Sequence, residues 1–138
     1  MVHPHLYRAG AVYYVDDELL GLPGGERVVH DGRRPAVVVS DQGGVHGTNA
    51  QRPEDWPSVL VVPISSKTSY RTKFDVPIAA GEANLRKKGW ARIPGLQMVD
   101  KTYLTDMTGL VDQDTLDQIT AQILNYLGIL SEQDEEEE

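Results

Sequence analysis

The sequence predicts a mainly β fold with some α: a small β-barrel with one long C-terminal helix packed against it. Three observations carry that expectation. Short β-branched and aromatic runs recur through the first two-thirds of the chain. Glycines and prolines punctuate them. Near the C-terminus the apolar spacing changes from that of strands to that of a helix.

The first strand is Ala11-Val12-Tyr13-Tyr14-Val15, closed by Asp16-Asp17-Glu18. Pro35 to Ser40 holds Ala36-Val37-Val38-Val39, the pattern of a buried strand. Ser58 to Ile64 is a second run of that kind. Pro63 near its end predicts an edge position or a bulge, because proline cannot donate to a ladder. Phe74-Asp75-Val76-Pro77-Ile78 reads as another short strand, and Trp90 to Ile93 and Leu96 to Val99 are weaker candidates. Ala83 to Lys88 suggests a short helical turn. Two long loops, Asp16 to Arg33 and Asp41 to Pro57, collect glycines and prolines, and such loops in a small domain usually carry function. For the helix, Asp112 or Asp114 can cap the start. Leu116, Ile119, Ile123 and Leu127 form one apolar stripe, and Gly128 can close the end in a left-handed conformation.

A chain of 138 residues with 40% hydrophobic and 25% charged residues is one ordinary globular domain, large enough to fold without staples. The expected organisation is a single domain over 1–131 and a disordered acidic tail over 132–138. The absence of cysteine excludes a disulfide framework, a Cys-ligated zinc site, an iron–sulfur cluster and a thiol nucleophile. No apolar run is long enough for a bilayer, and the first residues lack the pattern of a signal peptide. The expected location is the cytoplasm, away from membranes.

The net charge of −8 is unevenly distributed. Glu132 to Glu138 carries six carboxylates, and without them the balance is −2. Residues 67–101 carry eight bases and three acids, an excess of +5. Such a segment is either the footprint of a polyanion or a solvated lysine-rich face. The tail could also act within the chain, as a weak competitor for the same basic groove.

Common catalytic patterns are missing. His3 and His5 could share a strand face, but no carboxylate–histidine cluster supports a metal site there. No glycine-rich phosphate loop and no nucleophile elbow is present. Two segments are more informative. In Asp31-Gly32-Arg33-Arg34-Pro35 an arginine pair stands where a loop joins a buried strand, and its planar guanidinium can clasp a phosphate. In Val61-Val62-Pro63-Ile64-Ser65-Ser66-Lys67, hydroxyls and a lysine follow the end of another buried strand. Taken singly, each also reads as ordinary surface charge or an ordinary turn.

Taken together, these residues resemble the MazF/PemK family of toxin endoribonucleases. The family's Gly-x-Arg-Pro start of a valine-rich strand is matched by Gly32 to Ser40, and its Pro-Ile-Thr/Ser strand end by Val61 to Ser66. Val99-Asp100-Lys101-Thr102-Tyr103-Leu104 is similar to the Ile-Asp-Lys-x-x-Leu element, and Leu127-Gly128 to the end of its last helix. Gly10 to Val15 is similar to the opening strand. The resemblance spans about residues 9–130 in the family's order.

The resemblance implies an SH3-like barrel, shared with CcdB gyrase poisons, that forms a homodimer. It implies a type II toxin that cuts single-stranded RNA at short sequences without metal or cofactor, leaving a 2′,3′-cyclic phosphate and a 5′-hydroxyl. A cognate antitoxin would block the RNA groove with an often acidic segment. The family's catalytic arginine and hydroxyl carry over to Arg34 and Ser65. Arg33, Ser66, Lys67, Arg71, Lys73 and Gln97 form the expected RNA-binding set. Trp56, Tyr70 and Phe74 are candidate stacking surfaces, although Phe74 also reads as a core residue. The sequence departs from the family pattern at Leu96, where an acid often precedes the glutamine. It departs again after Gln97, where an arginine is missing. His30, with a side chain that titrates near neutrality, is the candidate proton acceptor. The alternative is a barrel that binds RNA, or a protein such as gyrase, without cleaving.

Overall fold

Three valine-rich strands form the centre of a single antiparallel sheet. In this computed structural model, residues 7–26, 32–41, 52 and 55–129 are described; His3, His5, His30 and the acidic tail lie outside them. The strands are β1 (Ala11–Asp16), β2 (Arg33–Val38), β3 (Ser58–Ser65), β4 (Val76–Ile78), β5 (Gly89–Ala91), β6 (Gln97–Asp100) and β7 (Thr105–Leu110). They follow the order β4-β5-β3-β2-β1-β7, with β6 also paired to β3, and the sheet curls into a half-barrel. Helix α1 (Gln113–Tyr126) packs against it. The mainly β architecture with a C-terminal helix is the expected one.

The continuous valine runs have a simple cause. β1, β2 and β3 are covered on both faces, so both phases of each strand must be apolar. Val12, Val37, Val62 and Ile64 face a cluster shared with Ile78, Ile93 and Ile119 of α1. Val15, Ala36, Val38, Val59 and Val61 face a second cluster with Tyr13, Leu20 and Val99.

Pro63 does not mark an edge. β3 is a central strand that pairs with β2 on one side. On its other side it changes partner: residues 58–61 pair with β6, and Ile64 and Ser65 pair with β5. Pro63 stands where the two ladders meet: its carbonyl accepts from Arg92 N, and Arg92 O accepts instead from Gly95 N, both at 2.8 Å, so the missing proline N–H leaves no carbonyl unpartnered.

The helix differs from expectation in detail. Ile119 is fully buried, and Leu116 and Ile123 pack beside it. Burying an isoleucine of this kind contributes about 1.5–3 kcal/mol. Leu127 lies beyond the last turn and is 59% exposed, so the stripe ends one turn early. Asp112 occupies the N-cap position, yet its side chain makes no cap bond; its N–H donates to Glu82 Oε2 at 3.0 Å. Gly128 adopts φ 87°. That turn lets Gly128 N donate to Asn125 O and Ile129 N to Leu124 O, both at 3.0 Å, which closes the helix.

Strand β7 is absent from the sequence reading. Thr105 to Leu110 has no apolar run, is exposed along most of its length, and pairs only with β1 across a bulge. The short helical turn expected at 83–88 does not form: a 3-10 turn covers only Glu82–Asn84, Ala83 and Asn84 have φ 54° and 62°, and residues 85–88 are irregular.

Candidate functional site

Strand register brings the two segments singled out in the sequence together. β2 and β3 pair Ala36 with Pro63, and the same register continued places Arg34 level with Ser65. Arg34 Nη1 donates to Ile64 O at 3.3 Å, one residue before that serine.

Arg34 is not a surface arginine. Its side chain is 2% exposed and its Nε donates to Asp17 Oδ1 at 2.8 Å, with Asp17 equally buried. Asp17 follows β1 directly, and Val15 and Asp16 pair with Arg34 and Arg33, so the antiparallel register fixes the contact. A guanidinium held at two points keeps its plane and position, which is the state required of a transition-state clamp.

Ser65 is also buried, at the β3 terminus. Its Oγ accepts from Lys67 N at 3.2 Å and from Arg92 Nη2 at 3.4 Å. Arg92 Nη2 also donates to Lys67 O, and Arg92 Nη1 donates to Asp75 Oδ2 at 2.8 Å. The Asp75 carboxylate is fully buried and receives further bonds from the Thr72 N–H, the Thr72 hydroxyl and the Ile93 N–H.

These residues sit in a cleft of about 440 Å³. Its lining includes six cations, Arg33, Arg34, Lys67, Arg86, Lys87 and Lys88, together with the hydroxyls of Ser65 and Ser66. No carboxylate is among the described lining residues. Arg33 and Arg34 are partly compensated by Asp106 and Asp17, so the positive excess rests on Lys67 and Arg86 to Lys88, and such an excess in a concave wall favours a polyanion. Gly89 lies on β5, the strand paired with the end of β3, and packs closely there: a Cβ would lie 2.7 Å from Ile64 Cγ2 and 3.4 Å from Ser65 O. Among the described residues, no group of three His, Asp or Glu is arranged to hold a metal.

The predicted site residues divide into three groups. Arg33, Arg34, Ser65, Ser66 and Lys67 line the cleft together. Arg33 is partly exposed, stacks over Tyr14 and pairs with Asp106 at 2.7 Å. Arg71 does not line the cleft; its guanidinium lies over the Trp90 ring at 4.6 Å, a ring that Lys88 of the cleft also faces at 5.0 Å. Lys73 and Gln97 do not line it. Lys73 lies over Phe74, which packs edge-on against Tyr126 of α1. Gln97 serves the backbone: Oε1 accepts from Gly21 N at 2.9 Å, and Nε2 donates to Gly21 O and Gly95 O. Phe74 belongs to the core, whereas Trp56 and Tyr70 are exposed.

The basic segment at 67–101 is also not one patch, because Arg92 and Lys101 are buried. Sequence reasoning missed Asp17, Asp75 and Arg92 as parts of the site. It counted Arg86-Lys87-Lys88 as charge without placing them, although three consecutive bases beside a glycine were the available signal.

The fold and this cleft together define a small β-barrel with a cation-lined groove. The chain matches the family model for the PemK-like, MazF-like toxin of type II toxin–antitoxin systems over residues 8–127, and it belongs to that family. Solved structures agree in fold. MazF from Deinococcus radiodurans superposes with a TM-score of 0.63 at 19% identity, covering 93% of this chain and 98% of that one. A MazE-MazF complex from the same organism gives 0.62 at 17% identity, covering 94% and 98%. An endoribonuclease in complex with its cognate antitoxin, from Mycobacterial species, gives 0.61 at 20% identity, covering 88% and 95%. No curated protein sequence matches the chain. No helix among the described residues is long and apolar enough to cross a membrane.

Proposed function

We propose that this toxin is a metal-independent, sequence-specific endoribonuclease that cuts single-stranded RNA in the cytoplasm. The observation that carries the reading is the adjacency of Arg34 and Ser65 in a cleft lined by cations. The ribose 2′-oxygen attacks the neighbouring phosphorus and the 5′-oxygen leaves. The 2′-hydroxyl proton passes to a base, for which His30 is the candidate, and the departing 5′-oxygen takes up a proton. The products are a 2′,3′-cyclic phosphate and a 5′-hydroxyl. Arg34 stabilises the charge that grows on the phosphoryl oxygens and stays protonated throughout. Ser65 donates to the same phosphate, and Lys67 and Arg86 to Lys88 hold its neighbours.

The chain acts as a homodimer and is silenced by an antitoxin with an acidic segment. Two observations support this: the antitoxin complexes among its structural relatives, and the exposed apolar side chains Met98, Tyr103, Met107 and Leu110. Sedimentation equilibrium at micromolar concentration should give about twice the chain mass.

The test is incubation with long single-stranded RNA in the presence of a chelator, with cut sites mapped by primer extension and end groups identified. Cleavage at a short recurrent sequence is expected, and Arg34→Lys should slow it by roughly 10²–10³-fold. The alternative, an RNA-binding barrel without cleavage, draws on the commitment of the Gln97 amide to Gly21 and on Leu96 preceding it. RNA retained by the protein but left uncut would decide for that alternative.

A further inference from the structure

We propose that Arg92 is a positioning residue that fixes the direction of the Ser65 hydroxyl and makes it a hydrogen-bond donor to the scissile phosphate. This role rests on the reading of Ser65 as part of a ribonuclease site.

The argument is one of hydrogen-bond capacity. A serine hydroxyl has one proton to give and two lone pairs to receive with. Ser65 Oγ receives two N–H groups, from Lys67 N at 3.2 Å and from Arg92 Nη2 at 3.4 Å. With both lone pairs directed at these N–H groups, the oxygen is poorly placed to accept the proton of an attacking ribose hydroxyl. What the hydroxyl retains is its proton, and Ser65 lines the cleft. The species that matches is an anionic acceptor, a non-bridging phosphate oxygen. The bond from a cationic donor also polarises the O–H and strengthens what it gives.

Arg92 is built for holding rather than for binding substrate. Its side chain is 5% exposed, and it does not line the cleft. Asp75, wholly buried, grips Nη1 at 2.8 Å while the Thr72 N–H and hydroxyl and the Ile93 N–H hold the carboxylate. On the far side, Arg92 Nη2 bonds both Ser65 Oγ and Lys67 O, so one guanidinium sets the serine and the turn that follows it. Its backbone adds a further tie, since Arg92 N donates to Pro63 O at 2.8 Å. Burying a charge at such a point is costly, and a core residue of similar volume would pack as well. Aiming the Ser65 hydroxyl is a return on that cost which an apolar residue could not supply.

A double-mutant cycle separates this role from general structural support. Arg92→Lys keeps the charge beside Asp75 but is too short and has the wrong shape to serve Ser65 and Lys67 together. In the wild-type background it should lower kcat roughly ten-fold, the scale of coupling within one hydrogen-bond network, while any rise in KM from loosening the Lys67 turn should be the same in both backgrounds. In a Ser65→Ala background the same substitution should change kcat by less than about two-fold, because the group it acts through is gone. If Arg92→Lys fails to fold, the paired replacement Asp75→Leu with Arg92→Met removes both charges at once and takes its place in the cycle. Equal losses of kcat in both backgrounds would overturn the role while leaving the ribonuclease reading intact. A Ser65→Ala protein as active as wild type would remove Ser65 from the site, and Arg92 with it. No cleavage by the wild type would overturn the functional reading itself.

Discussion

Asp17 and Arg34 form a buried ion pair, with Nε to Oδ1 at 2.8 Å and both side chains no more than 3% exposed. The arginine expected to present its fork to a phosphate is therefore anchored from behind by a carboxylate in the turn after β1. Losing one partner of a buried pair strands the charge of the other, at a cost of about 3–5 kcal/mol. Asp17→Ala should lower unfolding free energy by about that amount in urea titrations. Arg34→Ala should do the same, so its loss of activity would mix chemistry with stability, and Arg34→Lys is the cleaner variant. A loss below about 1 kcal/mol for Asp17→Ala would contradict the burial argument.

The neighbouring arginine behaves in the opposite way. Arg33 pairs with Asp106, but the two side chains are 41% and 69% exposed. Exposed pairs contribute about 0–1 kcal/mol, so Arg33→Ala should leave stability nearly unchanged. Its place in the cleft should still make it count toward RNA. The slope of log affinity against log salt should flatten by about 0.7, the value for one phosphate contact on a single strand. An unaltered slope would move Arg33 out of the interface.

Gly89 tests how closely β5 must pack against the end of β3. A methyl group there would lie 2.7 Å from Ile64 Cγ2, on the residue that precedes Ser65. Gly89→Ala should destabilise by about 1–3 kcal/mol, as overpacking does. It should also depress kcat by displacing Ser65. Full activity in a destabilised Gly89→Ala protein would show that the strain is absorbed away from the site.

Alkaline titration should reveal the second core cluster. Burial pushes the Tyr13 phenol well above its ordinary range, and repulsion from Tyr7 adds to the shift. Between the ordinary value of about 10 and the raised one, the folded chain holds a proton that the unfolded chain has released. The associated stability is complete below about pH 10 and is lost as pH rises through the folded-state value. Unfolding free energy measured above pH 10 should fall with pH, and Tyr13→Phe should reduce that slope. Parallel curves for the two proteins would remove Tyr13 as the source.

Much of the fold was legible because burial on two faces leaves a visible trace. Val37, Val38, Val61 and Val62 announce central strands on their own. β7 left no trace, since Thr105 to Leu110 is held by backbone bonds and an exposed edge needs no apolar pattern. Arg34 and Ser65 were legible as chemistry at strand ends. Their supports were not. Asp17 read as a polar strand terminator and Asp75 as one residue of a short strand, yet each is a buried counter-ion to an arginine 17 positions away. No local period records a pairing of that kind. Gln97 was misleading for a related reason: an amide looks equally suited to a base and to a backbone, and here it holds Gly21.

The switch of partner along β3 has a consequence for how this protein can change. One strand touches β2, β5 and β6, and it ends in Ser65. The end of the molecule proposed to act on RNA is thus welded to its most connected member, and heat should destroy activity and structure together rather than one before the other. Arg86 to Lys88 line the same cleft from the segment just before β5. Those three side chains are exposed, outside both cores, and open to replacement at little cost in stability. A lineage of such toxins can therefore keep the end of β3 fixed and vary the charged segment beside it.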